Sequence, residues 1–103
     1  GAILDFNEAL LHSVREAALF RMRGQAKFSL NDYEGALQDF NEALHIDGTD
    51  AIAFRERGLA LNHRGDVHGA LKDYDESLRL DPTDPIAFQC RGALRMLLGD
   101  DHG

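Results

Sequence analysis

Phe54-Arg55-Glu56-Arg57-Gly58 is the stretch that decides the fold, because it returns 34 residues earlier as Phe20 to Gly24 (FRMRG) and 34 residues later as Phe88 to Gly92 (FQCRG). Cut at Gly1, Gly35 and Gly69, the chain falls into three superimposable rows that open GAILDFNEAL, GALQDFNEAL and GALKDYDESL. Asp5, Asp39 and Asp73 share one place in the rows, Phe6, Phe40 and Tyr74 another, and Leu10, Leu44 and Leu78 a third. A fixed period of this length marks a stack of like supersecondary units, each burying its apolar face against its neighbours.

Each row reads as two helices. Ala36, Leu37, Phe40, Ala43, Leu44 and Ile46 recur in steps of three and four, which is one apolar helical stripe. The spacing predicts B-type helices over 1–12, 35–46 and 69–80, stopped by Asp47-Gly48 and Asp81-Pro82, with Gly48 offering a left-handed cap. The first row ends on Ser13-Val14, the weakest of the three stops. A-type helices follow over 17–30, 51–64 and 85–98, with Asp50 and Asp84 as N-caps, Pro85 at the first helical position, and turns at Asn31-Asp32, Gly65-Asp66 and Gly99-Asp100. The expected architecture is therefore all-α, six helices in a helical-hairpin repeat solenoid, spanning 1–103 as one domain.

Helix pairs at this period resemble the tetratricopeptide repeat family, whose pattern is W-x2-L-G-x2-Y, then A-x3-F, then P. Phe20, Phe54 and Phe88 stand at the tryptophan place, Gly24, Gly58 and Gly92 at the glycine, Ala36 and Ala70 with Phe40 and Tyr74 at A-x3-F, and Pro82 at the proline. In that phase a half-repeat occupies 1–16, full repeats 17–50 and 51–84, and a second half-repeat 85–103. Arg23, Arg57 and Arg91 depart from the family's leucine, and a charge on an inner face requires a partner. Backward pairing to Asp5, Asp39 and Asp73 leaves no member over and is the expected arrangement.

The resemblance implies a right-handed superhelix whose A helices line a concave, peptide-binding groove. Its helical wheel assigns Arg21, Gln25 and Phe28 to that groove from the first A helix, Ile52, Arg55, Glu56 and Leu59 from the second, and Gln89 and Met96 from the third. One subclass of the family grips a chaperone's C-terminal carboxylate with lysine, asparagine and arginine side chains. The matching places here hold Arg21, Gln25, Glu56, Ile86 and Cys90, and Glu56 would repel a carboxylate, so an apolar or mixed peptide is the expected partner.

Charge and composition narrow the function further. A net charge of −7 disfavours nucleic acid, whose phosphates demand a basic face, and steers basic peptides or proteins instead. No apolar run is long enough for a membrane span, and no basic leader opens the chain. The lone Cys90 cannot form an internal disulfide, which fits a cytoplasmic setting. The five histidines follow no zinc spacing, there is no phosphate loop and no nucleophile pattern, so no metal, no cofactor and no enzymatic activity is expected. The alternative function is self-association: the terminal helices carry no polar cap, and Ile3, Leu4, Phe6 and Leu11 at one end and Leu94 and Leu98 at the other would stack copies head to tail.

Overall fold

The computed structural model describes residues 2–99, and their side chains from Glu8 onward. Five helices follow one another: α1 Ala2–Ser29, α2 Tyr33–Ile46, α3 Ala51–His63, α4 Val67–Leu80 and α5 Pro85–Leu97. Each packs on the next in sequence, so the array is elongated, 56 × 29 × 18 Å. The solenoid expected from the period is present, with five helices among the described residues rather than six.

The missing break is in the first row, where residues 2–12 and 17–29 form a single helix. The reason lies in four residues. Between α2 and α3, Asp47 Oδ1 accepts from the Thr49 amide at 3.1 Å and hydroxyl at 2.6 Å, while Asp50 Oδ1 accepts from the Ile52 and Ala53 amides. Asp81, Thr83 and Asp84 repeat this between α4 and α5. Row one has Ser13-Val14-Arg15-Glu16 in place of Asp-Gly-Thr-Asp or Asp-Pro-Thr-Asp, which removes both caps and inserts two good helix formers. His12 and Glu16 then approach at 3.5 Å across one helical turn.

The other boundaries follow local rules. Asp32 and Asp66 cap α2 and α4 through the Gly35 and Gly69 amides, so these helices begin two residues earlier than the apolar stripe. Asn31 and Gly65 take positive φ at the A-to-B turns, and Gly99 does so after the end of α5. Gly48 does not, which corrects its assignment as a left-handed cap. The matching residue is Pro82, whose ring holds φ negative, and one turn geometry serves both.

The recurring glycine is explained by helix approach. A Cβ on Gly24 would lie 2.6 Å from the Phe40 ring, and one on Gly58 2.8 Å from the Tyr74 ring, both tighter than carbon atoms tolerate. The two aromatic rings are fully enclosed, Phe40 with Ala36, Leu37 and Ala60, and Tyr74 with Ala70 and Leu94. Burial, and then the neighbouring Cys90 thiol, push the Tyr74 phenol well above its ordinary range and keep it neutral. Ser77, which is also fully buried, donates to the Ala51 carbonyl at 2.8 Å.

Beside Gly92 there is open space, since no described helix follows α5. Gly58→Ala is therefore expected to destabilise the fold by about 1–3 kcal/mol through overpacking. Gly92→Ala should be neutral or stabilise by up to about 1 kcal/mol through helix propensity. Urea unfolding of the two variants measures the contrast.

Candidate functional site

The A-type helices carry two sets of arginines that serve different ends. Arg23 and Arg57 point from their helices toward the next B-type helix and fork onto buried aspartates. Arg23 donates to Asp39 at 2.7 and 2.9 Å, and Arg57 to Asp73 at 2.7 and 2.8 Å. Lys27 adds a second cation 3.2 Å from Asp39. Each guanidinium also lies over the phenylalanine three residues before it, with Arg23, Arg57 and Arg91 between 5.2 and 5.6 Å from the ring centres of Phe20, Phe54 and Phe88.

This arrangement corrects the backward ladder, because Asp39 pairs with Arg23 and Asp73 with Arg57, inside one family repeat. The side chain of Asp5 lies outside the described residues. What does run backward is a weaker set: Arg57 donates to Asn41 at 3.1 Å, and Arg91 reaches Asp75 at 3.5 Å. Arg57 is long enough to serve both neighbours, forking onto Asp73 of the helix after it and reaching Asn41 of the helix before it.

The second set lies on the face assigned to the groove. Arg21 donates to Asp50 at 3.0 Å, and Arg55 to Asp84 at 2.6 Å, so each arginine ties its helix to the N-cap of the next A-type helix. Gln25 donates to Glu56 at 2.6 Å, and Glu56 also lies 3.7 Å from Arg55. Two arginines against Asp50, Glu56 and Asp84 leave an excess of one negative charge. The buried Arg55 Nε has no hydrogen-bond partner among the described residues.

The predicted groove residues thus separate into three groups. Arg21, Gln25, Arg55 and Glu56 are half-buried and bound to one another or to the caps. Phe28 meets Tyr33 and His63 edge-on at 5.3 and 5.1 Å, and Leu59 packs against the Tyr74 cluster, so both belong largely to the chain's own packing. Ile52, Gln89 and Met96 are exposed, and Ile86 joins them. The role of Asp50 and Asp84 as arginine partners was missed in the sequence, although their recurrence 29 residues after Arg21 and Arg55 was there to be read.

Of the residues assigned to self-association, Leu11 and Leu98 are exposed, while Leu94 is buried against Tyr74 and Ala70 and so serves the chain's own core. The side chains of Ile3, Leu4 and Phe6 lie outside the described residues, as does Gly103. Among the described residues no helix is long and apolar enough to cross a membrane.

Asp39 and Asp84 are both shifted from the ordinary carboxylate range. The Arg23 guanidinium holds Asp39 below the usual carboxylate range, outweighing burial, with Lys27 assisting. Burial raises Asp84, but the Arg55 hydrogen bond and the Ala87 and Ile86 amides outweigh it, and the net shift is downward. A depressed folded pKa contributes stability that is complete above the unfolded value, about 3.9, and is lost as pH falls through the folded value. The melting temperature is therefore expected to hold steady near neutrality and to fall below about pH 4. Asp84→Asn, which keeps a capping oxygen but loses the charge, should cost about 1.5–3 kcal/mol at pH 7 and flatten that acid limb in a thermal melt series.

Comparison with known proteins bears on this geometry. A family model described as tetratricopeptide repeat matches residues 1–51 and again 21–85. The second such domain of Spaghetti (RPAP3), solved bound to the HSP90 peptide SRMEEVD, is 28% identical with a TM-score of 0.85, covering 89% of this chain and 84% of that one. The second domain of human RPAP3, in complex with the HSP70 peptide SGPTIEEVD, is 28% identical with a TM-score of 0.79, covering 84% and 72%. UNC-45 from C. elegans, in complex with an Hsp90 peptide, is 35% identical with a TM-score of 0.76, over 84% of this chain but 10% of its own. No curated protein matches the chain by sequence.

Proposed function

The chain belongs to the tetratricopeptide repeat family, and on that premise we propose that it is a non-enzymatic scaffold that binds a peptide along the concave face of α1, α3 and α5. Solved relatives at 28% identity hold peptides, which supports the general mode. The observation that carries the finer reading is the pairing of Arg21 with Asp50 and of Arg55 with Asp84. Both arginines are already neutralised, and Glu56 adds a negative charge between them. An incoming carboxylate would have to displace an internal one from its arginine, at a cost in unpaired buried charge.

The peptide that suits this face has aliphatic anchors and a basic side chain. Ile52, Ile86 and Met96 supply exposed apolar surface, Glu56 supplies the counter-charge, and the chain's net charge of −7 favours the same sign of partner. The perturbed carboxylates Asp39 and Asp84 are consumed in ion pairs, which supports a role without acid-base chemistry.

Calorimetric titration with SRMEEVD and with a peptide of equal length carrying aliphatic and lysine residues tests the preference. The aliphatic and basic peptide is expected to bind at least about tenfold more tightly, a difference of about 1.4 kcal/mol. Ile52→Asp should weaken it by about 1.5–3 kcal/mol, the worth of one buried aliphatic anchor. Tighter binding of the acidic peptide would overturn the preference. Amide shift changes confined to α2 and α4 would overturn the groove itself.

A further inference from the structure

Three positions in the first row are exposed although their counterparts in both later rows are buried. Leu10 is 52% exposed, where Leu44 is 9% and Leu78 7%; Leu19 is 65% exposed, where Ala53 and Ala87 are 0%. Ala9 is exposed as well, while Ala43 and Ser77 are fully enclosed. Within the chain these sites are closed by a hairpin: the end of α2 folds back on the start of α3, and the end of α4 on the start of α5. The first row has the two halves of that hairpin and no turn between them.

The N-terminal half of α1 nevertheless carries the sequence of a hairpin partner. GAILDFNEAL differs from GALQDFNEAL, the start of the α2 stripe, only at the third and fourth positions. The face it would cover is also intact. Glu16, Leu19, Phe20 and Arg23 line a shallow hollow of about 420 Å³; their counterparts in the second row are Asp50, Ala53, Phe54 and Arg57, of which Ala53 is fully enclosed and Arg57 donates to Asn41 of α2.

Closure inside one chain is opposed twice. Ser13-Val14-Arg15-Glu16 lacks the aspartate and threonine bonds that hold the other turns, and Leu19 puts a large side chain where a fully enclosed alanine sits in the later rows. A four-residue turn holds its helices too close to make room for it. Helices from two separate chains are not so tethered and can move apart by the width of the extra carbons.

We propose that two copies of the chain exchange the N-terminal halves of α1, each laying its residues 2–12 along the 17–24 segment of the other. The two α1 helices then run antiparallel about a two-fold axis near Val14, and Leu10 of each copy faces Leu19 of the other. The contact is the α2–α3 contact of the chain itself, made between molecules. Because it is reciprocal, it closes at two copies and does not grow into a filament. It uses Leu19 and Phe20, not Arg21 or Gln25, and is independent of the peptide reading.

Sedimentation equilibrium at rising concentration should reach twice the chain mass of 11.4 kDa and stop there. A variant that restores the turn and the small residue, with Ser13→Asp, Val14→Gly, Arg15→Thr, Glu16→Asp and Leu19→Ala, should lose the dimer and keep its helical circular dichroism. Leu10→Cys with Leu19→Cys, in a Cys90→Ser background, should give a covalent dimer with a short thiol cross-linker. A native chain that stays monomeric, a mass that keeps rising, or a turn-restored variant that dimerises as before would each overturn the exchange. So would a cross-link formed within one chain, and this last readout stands whether or not the multiple variant folds.

Discussion

The array depends on how closely an A-type helix can approach the B-type helix that follows it. That approach is set by a glycine meeting an aromatic ring, Gly24 on Phe40 and Gly58 on Tyr74, with no room for a single added carbon. Everything else on the inner surface is arranged around it. The rings fill the space between successive hairpins, the small residues Ala36, Ala60 and Ala70 let them in, and the arginine before each glycine is thereby brought level with a buried aspartate on the facing helix. A pair of this kind, with its carboxylate buried and its guanidinium partly exposed, penalises any other register, because a slipped helix would leave a buried carboxylate unpaired.

Two ion-pair series at different spacings divide the work of the repeat. The pairs Arg23 with Asp39 and Arg57 with Asp73 join the two helices of one hairpin, and Arg21 with Asp50 and Arg55 with Asp84 join one hairpin to the next. The second series occupies Arg21 and Arg55 on the face proposed to hold a peptide, so on that proposal the contacts that join successive hairpins also bear on the charge of the partner.

Much of this was legible in the chain. The period, the alternation of helix types, the N-caps Asp50 and Asp84 and the turns at Asn31 and Gly65 follow from local chemistry, which acts within a few residues and is written in order. The direction of the arginine pairing was not, because spacing alone allows Arg57 to be matched with Asp39 or with Asp73, and only the packed helices show its fork on Asp73 and its remaining nitrogen on Asn41. A helical wheel places Arg55, Glu56 and Phe28 on one face but carries no information on the neighbours that meet them there, Asp84, Gln25, Tyr33 and His63.

The first row draws the boundary most clearly. Its sequence alone determines that residues 2–12 have the composition of a packed B-type helix, since periodicity and residue type are properties of the strip itself. Whether that helix folds back was decided by the tertiary structure, through the loss of four turn residues and the bulk of Leu19 at a place where the array elsewhere admits only alanine. Local pattern states what a segment can bury. Which surface it buries depends on a turn and on a neighbour, and both are settled by the closeness of packing between helices distant in the chain.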